Sequence, residues 1–539
     1  MNNITLDIKS LLLNASKALK ENKLIEGKKI LEQIQSINSN IFEVNFNLAT
    51  LNLQSGNLDA AIIFFEKAKK IKPKSTQVYF NLGLAYDRKK EKRLAIQNFK
   101  KVIELEPNNA MAYCNLGTVY KDILNTSRAE EYLNKSLDLK PNLMLAFNNL
   151  FDLYDRSNQL EKFSSLLSKA KKELDDKDLV GFFSGVHQYK KKNYLEAIDI
   201  LESLNLEKNY VIHNINKVGM LAKSYDHVEK FDNAFNYFKK NNELVNIYYG
   251  KNIDENIYSK YVDIRINFFE NFELHDWKQY SVTDKLDDPI FLIGFPRSGT
   301  TLLDTIFRTN ENVEVIEEKP IIKNFLIKLE QKTKNKLNNI KNLSNDEIRE
   351  MRHFYFTERD QYIKNKNAKI IIDKLPLNVV NVGEILRFFP NAKFVFALRH
   401  PYDSVLSCFM QQFELNPAMK NFLSIKRSAY LYDLVMKLWK IYQKIFSINF
   451  HYIKYEDVVT DFEKSTKEIF KFLNLDWSNK AKDFYKTAKD RIDISTPSYN
   501  QVTSPLYLKS INRWKNYEEN FKDVKKNLEK WIHEFEYKI

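Results

Sequence analysis

The sequence contains little cysteine and no long apolar run. Two cysteines, Cys114 and Cys408, occur far apart among 539 residues, which argues against a disulfide scaffold and fits a reducing compartment. No stretch reaches the ~20 uninterrupted apolar residues that a membrane span needs. The start, Met1–Ile4, does not lead through a basic region into an apolar run, so we expect no signal peptide. These absences predict a soluble, cytoplasmic protein.

Motifs for nucleic-acid binding are also missing, although the formal net charge is +14. The lysines are spread along the whole chain, and neither zinc-finger spacing nor an RNP-type aromatic motif occurs. We therefore expect no nucleic-acid partner. A basic balance instead suits an enzyme whose donor is a polyanion. With 44% hydrophobic residues, the chain has material for packed cores, and its length predicts about two to four domains.

A period of 34 residues runs through the first half of the chain. Four classes of position share this register: Pro73, Pro107 and Pro141; Ala61, Ala95 and Ala129; Tyr86, Tyr120 and Tyr154; Gly83 and Gly117. Small residues at a fixed spacing allow two antiparallel helices to approach closely, and a proline ends the second helix of each pair. We therefore predict a helical solenoid, in which the tyrosines are interpreted as packing residues.

The repeats resemble the tetratricopeptide repeat family. The solenoid is predicted over residues 8–250, most clearly over 42–143, and a helical linker over 251–280. A weaker copy of the repeat is marked by Tyr225, Ala234 and Phe238. The resemblance implies a groove that binds a protein or peptide partner. Two alternatives stay open, namely a rigid support and a self-association surface that forms a homodimer.

The second half has the pattern of an α/β domain, predicted over residues 281–539. Short apolar runs that are typical of buried parallel strands alternate with helical patterns. The predicted strands are Ile290–Ile293, Lys369–Ile372, Lys393–Leu398 and His451–Lys454. The predicted fold is thus α + α/β, with a repeat solenoid followed by a three-layer, P-loop-like domain with a parallel sheet. Ligands of such sheets bind beyond the carboxyl ends of the strands.

A candidate phosphate loop, Gly294–Thr301, follows the first predicted strand. Its glycine spacing is that of a P-loop, in which backbone N–H groups at a helix start hold a phosphate. The nucleotide triphosphatase version needs lysine directly after the second glycine, where this sequence has Thr300. ATP hydrolysis is therefore disfavoured, and Arg297 supplies positive charge from within the loop.

The loop resembles the 5′-phosphosulfate loop of sulfotransferases, particularly the tyrosylprotein sulfotransferases and their bacterial relatives that carry tetratricopeptide repeats. The resemblance implies 3′-phosphoadenosine-5′-phosphosulfate (PAPS) as the donor. The donor-binding residues that it implies in the loop are Arg297, Ser298, Gly299, Thr300 and Thr301. A purely structural strand-to-helix turn is the alternative for the loop taken alone.

Arg399 and Ser407 resemble the 3′-phosphate signature of the same family. Arg399 leaves a predicted strand, and Ser407 follows eight residues later on the next helix. A guanidinium and a hydroxyl are suited to charge-assisted hydrogen bonds with a phosphate. ATP lacks a 3′-phosphate, so this pair would discriminate between the two donors.

Two further residues take catalytic roles by the resemblance. Glu318, in the pair Glu317-Glu318, corresponds to the glutamate that removes the acceptor proton. Lys374 corresponds to a lysine that contacts the bridging oxygen of the donor and neutralises charge on the leaving phosphate. Here Asp373 precedes the lysine and Leu375 follows it, which departs from the family pattern. The run Ile370–Asp373 also resembles a strand that delivers a Walker B aspartate.

Three residues near the carboxyl end of the domain complete the resemblance. Tyr455 corresponds to a contact with adenine, Ser498 to a contact with the leaving group, and Arg513 to a basic residue on the 3′-phosphate. No metal is implied, because the loop, lysine and arginines supply the countercharge.

The sequence predicts transfer of a sulfuryl group to an acceptor hydroxyl, with the repeats presenting a partner or substrate. The acceptor stays open between protein tyrosine, carbohydrate and small molecule. The alternatives are a P-loop nucleotide kinase or nucleotidase, and a repeat scaffold with an inactive transferase domain.

Overall fold

A computed structural model describes residues 2–206, 210–273, 277, 286–490, 502–506 and 508–538. By their contacts the residues form two compact units, 1–213 and 214–539. The predicted boundaries at 250 and 280 stay predictions. In the described part of the chain, no helix has the length and apolar character needed to cross a membrane.

The first unit consists of helices that pack as consecutive pairs. In chain order, α1 to α12 are Asn2–Lys20, Leu24–Ile37, Phe42–Gln54, Leu58–Ile71, Thr76–Arg88, Lys92–Leu105, Ala110–Asp122, Thr126–Leu139, Met144–Arg156, Leu160–Glu173, Lys177–Lys190 and Tyr194–Glu202.

The repeated positions form the interior of this unit. Ala61, Ala95 and Ala129 are fully buried. A Cβ at Gly83 would lie 2.6 Å from the Phe99 ring, so only glycine allows the two helices to approach this closely. The period predicted from sequence is therefore a packing period, as expected for stacked helical pairs.

Three helices open the second unit: α13 (Val211–His227), α14 (Phe231–Val245) and α15 (Asn256–Glu270). A π-helical turn at Asn246–Gly250 follows α14. The residues that marked a weak repeat copy, Tyr225, Ala234 and Phe238, lie in α13 and α14 and are buried. From Asn214 on, this helical pair clusters with the sheet.

The sheet has five parallel strands in the order β2-β3-β1-β4-β5. They are β1 (Ile290–Gly294), β2 (Val313–Glu317), β3 (Ile370–Lys374), β4 (Lys393–Leu398) and β5 (Asn449–Lys454). The predicted parallel α/β domain is confirmed. All carboxyl ends meet at one edge, which we call the strand-end edge.

Helices cover both faces of the sheet, giving the three predicted layers. On one face Leu292, Val315 and Val395 pack with Ile306 and Ile469. On the other face, the rings of Phe291 and Phe394 stack at 5.5 Å and Phe396 packs against Trp439.

The helices α16 to α25 are Thr300–Phe307, Ile321–Thr333, Asn345–Asp360, Val382–Phe388, Pro401–Phe409, Ile425–Ile445, Tyr455–Thr460, Phe462–Phe472, Phe484–Asp490 and Lys525–Glu534. The 3₁₀ segments are Leu337–Asn342, Pro376–Asn381, Met419–Leu423, Asn479–Asp483, Leu508–Ser510 and Arg513–Val524.

One strand, β2, is absent from the sequence prediction. It contains Glu314 and Glu317, which interrupt the apolar pattern that identifies buried strands, yet both glutamates are buried. Glu317 lies opposite Lys374 in the sheet register, and its carboxylate is 3.1 Å from the Lys374 ammonium. At the position of Glu317, a charge pair across two strands therefore takes the place of a buried apolar side chain.

Candidate active site

The phosphate loop joins β1 to α16 and depends on two glycines with positive φ. Gly294 has φ +153° and Gly299 has φ +97°. A Cβ at Gly294 would lie 2.5 Å from the Ala397 carbonyl oxygen on β4, and a Cβ at Gly299 would lie 2.9 Å from the ring of Tyr455. The loop is therefore pressed against its neighbours at the strand-end edge, where larger side chains do not fit.

The helix that follows the loop begins at Thr300, with Gly299 as its N-cap in the left-handed conformation. Thr300 and Thr301 are largely buried and line the cavity described below. The first N–H groups of a helix have no acceptor within the helix and carry its positive dipole end. Ser298, within the loop, is buried, and within the described residues its hydroxyl has no hydrogen-bond partner.

Arg297 connects the two predicted phosphate sites. Its Nε donates a hydrogen bond to the Ser407 hydroxyl on α20, at 3.0 Å, and its carbonyl oxygen accepts from Arg399 Nη1 at 3.2 Å. The sequence assigned Arg297 to the 5′ end of the donor and the other two residues to the 3′-phosphate. The structure brings all three into one hydrogen-bonded group.

Arg399, directly after β4, is held by neutral acceptors. Besides the Arg297 carbonyl, the Ser510 carbonyl accepts from its Nη2 at 2.7 Å, and its guanidinium lies 5.1 Å from the centre of the Tyr455 ring. Carbonyl acceptors orient the guanidinium without cancelling its charge. Its Nε is buried and lacks a partner in the part of the chain that the structure describes, so one strong donor stays unused.

Lys374, the last residue of β3, is fully buried between two carboxylates. Its ammonium is 3.1 Å from Glu317 Oε1 and 3.0 Å from Glu318 Oε1. Burial by itself would lower the pKa of the Lys374 ammonium, but the carboxylates of Glu318, Glu317 and Asp304 outweigh burial and raise it. Lys374 is therefore a fixed positive charge behind the cavity wall.

Glu318 faces the cavity from the end of β2. Its φ of +51° is uncommon for a residue other than glycine, and its N–H donates to the Lys374 carbonyl at 2.8 Å. Its side chain is 38% exposed, whereas that of Glu317 is 7% exposed. Of the two glutamates bound to Lys374, Glu318 is the one that a ligand can reach.

Arg513 lies on a segment that Asp403 anchors. The Asp403 carboxylate, on α20, accepts hydrogen bonds from the N–H groups of Asn512 at 2.8 Å and Trp514 at 2.9 Å. Arg513 Nη2 is 2.7 Å from Asp226 Oδ2 on α13. Neither aspartate has a sequence signal, because each acts through a partner that lies far away along the chain.

A cavity of about 630 Å³ opens at the strand-end edge. Of the residues predicted for the site, those that line it are Arg297, Gly299, Thr300, Thr301, Glu318, Arg399, Ser407, Tyr455 and Arg513. Ser298 and Lys374 lie buried behind the wall. Ser498 falls outside the described residues.

Asp373, the aspartate that resembled a Walker B residue, faces the opposite side of the sheet. The Tyr355 hydroxyl on α18 donates to its Oδ2 at 3.2 Å. Burial raises the pKa of the Asp373 carboxyl to about 7. Because successive strand residues point to opposite faces, Asp373 and Lys374 cannot both face the cavity, and the structure turns the lysine toward it.

The fold and the site together define a parallel α/β domain that can hold an anionic ligand at the ends of its strands. Residues 289–479 match the model of the sulfotransferase family. Residues 42–75, 76–109 and 98–131 each match a model of the tetratricopeptide repeat. The chain therefore combines tetratricopeptide repeats with a sulfotransferase-family domain, as the sequence motifs predicted.

Individual relatives share little sequence identity with the chain. An uncharacterised protein of Aquifex aeolicus (strain VF5) is 27% identical over 237 residues, which are 43% of this chain and 31% of that protein. The chain thus spans about a third of the length of the curated relative it matches.

Among solved structures, a sulfotransferase domain from the curacin biosynthetic pathway is 15% identical, with a TM-score of 0.35 over 48% of this chain and all of that one. A tetratricopeptide repeat protein from Parabacteroides merdae is 16% identical, with a TM-score of 0.37 over 44% of this chain and 93% of that one. The MamA protein is 22% identical, with a TM-score of 0.29 over 31% of this chain and 92% of that one.

Proposed function

We propose that the protein transfers a sulfuryl group from PAPS to an acceptor hydroxyl. One observation carries the proposal: the ends of all five strands supply residues to a single site, namely the phosphate loop, Glu318, Lys374, Arg399 and Tyr455. Ligands of doubly wound sheets bind at this edge. The family match over residues 289–479 supports sulfuryl transfer as the class of reaction.

The donor half of the cavity suits a nucleotide with two separate phosphate groups. The loop and the start of α16 offer N–H groups to the 5′-phosphosulfate. Arg399, Ser407 and Arg513 offer charge and hydroxyl donors to a 3′-phosphate, and the unused Nε of Arg399 supports an anion in this place. The Tyr455 ring, packed beside Gly299, is suited to stack on adenine.

The reaction is an in-line displacement at sulfur. The acceptor oxygen forms a bond to sulfur while the bond from sulfur to the phosphate oxygen breaks, releasing adenosine 3′,5′-bisphosphate. Glu318 takes the acceptor proton, and Arg297 and Lys374 stabilise the charge that develops on the leaving phosphate. Ser498 is proposed as a further hydrogen-bond donor to that phosphate.

The two glutamates on Lys374 have separate roles in this proposal. Glu318 loses its negative charge when it accepts the proton, which would leave the buried ammonium unpaired if it were the sole partner. Glu317 is buried, bonds the same ammonium and remains charged. Glu317 thus stays as a partner of the buried ammonium throughout, while Glu318 can release the lysine to the leaving group.

The remaining lining of the cavity provides room for the acceptor. One face of α17, Lys323, Leu326, Ile327 and Glu330, lies toward the cavity, and Tyr258 and Tyr261 on α15 line it as well. The Tyr261 hydroxyl donates to Asn381 at 2.7 Å, which connects α15 to the segment after β3. The apolar and aromatic part of this lining, Leu326, Ile327, Tyr258 and Tyr261, favours an acceptor with an aromatic or aliphatic body, such as tyrosine or a small phenol, over a carbohydrate.

The tetratricopeptide repeats are proposed to bind a protein or peptide, the usual role of such arrays. A cytoplasmic location, the absence of a metal requirement and a homodimer remain predictions of the sequence.

Thermal unfolding with added nucleotides tests the donor. Adenosine 3′,5′-bisphosphate at a hundredfold excess over its dissociation constant should stabilise the protein by about 2.7 kcal/mol, whereas adenosine 5′-monophosphate should stabilise it less. Stabilisation by ATP with Mg²⁺, and none by the bisphosphate, would support the nucleotide kinase alternative instead.

The acceptor is tested by incubating the protein with ³⁵S-labelled PAPS and an extract of the host, then identifying the labelled product. Transfer of label to an extract component supports the enzyme. Binding of the bisphosphate without any transfer would favour a scaffold with an inactive domain.

A further inference from the structure

The helical pair α13–α14 packs directly on elements that carry donor-site residues. Phe235 on α14 stacks on Phe409 at 5.1 Å, and the Asn242 side chain donates to the Phe409 carbonyl at 2.9 Å. Phe409 ends α20, two residues after Ser407. A helical pair that resembled a repeat in the sequence is therefore part of the wall behind the predicted 3′-phosphate site.

Asp226, near the end of α13, contacts two side chains of the 3₁₀ segment Arg513–Val524. Its Oδ2 is 2.7 Å from Arg513 Nη2, and its Oδ1 accepts from the Tyr517 hydroxyl at 2.6 Å. The Tyr517 ring packs edge-on against Phe231 on α14, at 5.4 Å. Both carboxylate oxygens of Asp226 are therefore committed to this segment, while Arg513 lines the cavity and Asp226 does not.

We infer that Asp226 is a positioning residue for Arg513, through which the α13–α14 pair controls recognition of the donor's 3′-phosphate. The inference rests on the proposed function, since it assumes that Arg513 contacts this phosphate. Arginine has a long side chain that loses rotamer freedom when it binds a ligand. A carboxylate that fixes one Nη in advance reduces that loss, and Arg513 lines the cavity.

The geometry also separates Asp226 from the reaction centre. Its partners belong to the 3₁₀ segment Arg513–Val524, whereas Glu318 and Lys374 lie at the ends of β2 and β3. A change at Asp226 should therefore alter donor discrimination and leave the proton transfer intact. In kinetic terms, KM for the donor rises and kcat stays close to wild type.

The test compares two nucleotides, adenosine 3′,5′-bisphosphate and adenosine 5′-monophosphate, by calorimetry. The dissociation constant of the monophosphate divided by that of the bisphosphate measures what the 3′-phosphate adds to binding. Asp226→Ala should reduce this ratio about tenfold, the effect of one charge-assisted hydrogen bond. Asp226→Asn, which can still accept hydrogen bonds, should reduce it less. Tyr517→Phe should leave most of the ratio intact, because it keeps the contact between Asp226 and Arg513. If the alanine variant does not fold, the smaller loss expected for Asp226→Asn is the test.

Asp433→Asn is the matched control. Asp433, on α21, likewise holds residues of the carboxyl-terminal helix through Trp531 Nε1 at 2.9 Å, but it does not contact Arg513. Its substitution should lower the unfolding temperature without changing the nucleotide ratio. An equal change of the ratio in both variants would mean a general loosening and would overturn the inference.

A double-mutant cycle completes the test. If Asp226 acts through Arg513, then Asp226→Ala added to Arg513→Ala should cause no further change in the nucleotide ratio. A full additional loss, or an unchanged ratio in Asp226→Ala alone, would contradict the inference while leaving the proposed function standing. If wild-type protein binds both nucleotides equally, the proposed donor itself is wrong and the inference is wrong with it.

Discussion

Buried positions in the repeat helices carry mostly apolar side chains, whereas several in the sheet unit carry charge. Ala61, Ala95 and Phe99 fill the interior of the repeats, while Lys374 and Arg399 are buried at the strand-end edge. Burying an unpaired charge costs far more than burying an alanine gains. Charged groups are therefore retained inside a domain where pairing and function require them, and the two regions should respond differently to mutation.

The largest effect is expected for Glu318→Gln at the strand-end edge. The amide cannot take the acceptor proton, so transfer of label from PAPS to the acceptor should fall about 10²–10⁴-fold. Binding of adenosine 3′,5′-bisphosphate should persist. Glu317→Gln is the matched control on the same lysine, and equal losses of rate in the two variants would argue against Glu318 as the base.

Arg399→Ala is expected to weaken donor binding about 10–100-fold, because a charged donor to phosphate is lost. The measurement is the dissociation constant of adenosine 3′,5′-bisphosphate. Arg359→Ala removes an arginine that pairs with Asp360 outside the cavity and should have no effect. A rise in the acceptor KM with unchanged nucleotide affinity would contradict the assignment of Arg399.

Asp373→Asn should change stability and its pH dependence instead of catalysis. The folded-state pKa of about 7 exceeds the ordinary value of 3.8, so between these values the native state binds a proton that the unfolded chain releases. Stability from this group is therefore present at low pH and lost as the pH rises toward 7. The variant should be more stable than wild type at pH 8, and its stability relative to wild type should rise by about 2–3 kcal/mol between pH 5 and pH 8.

Thermal unfolding at both pH values measures this effect, with the rate of transfer as a second readout. A lower rate with unchanged stability would mean that Asp373 takes part in the reaction after all.

Gly117→Ala tests the repeat helices and should have the smallest effect. The added Cβ would lie 2.7 Å from Leu133 Cγ, and this overpacking should cost about 1–2 kcal/mol of stability. Met111→Ala, an exposed position on the same helix, is the control. Donor affinity should be unchanged in both variants, and a parallel loss of affinity would show that the repeats contribute to the donor site.

Sequence patterns predicted the elements whose physics is local. The 34-residue period, four of the strands and the phosphate loop all depend on spacing along the chain. Strand β2 was missed because Glu317 pairs with Lys374 on another strand. The family resemblance, in turn, supplied Arg399 and Ser407, but not the hydrogen bond between Ser407 and Arg297.

The roles of residues whose partners lie far away along the chain could not be predicted from the sequence. Asp403 accepts hydrogen bonds from the backbone N–H groups of Asn512 and Trp514. In the sequence, nothing distinguishes it from any other aspartate on a helix. Asp226 lay within a stretch interpreted as a weak repeat copy, where tyrosine and alanine carried the pattern. Only the folded chain shows that its carboxylate reaches Arg513.

The bond between Asp226 and Arg513 spans 287 positions along the chain. During translation α13 leaves the ribosome long before Arg513 has been synthesised, and contacts between such distant residues form late in folding. A nascent chain therefore completes its phosphate loop before it completes the proposed clamp on the 3′-phosphate. Full selectivity for the nucleotide should arise only after Arg513 has been synthesised and the sheet has assembled.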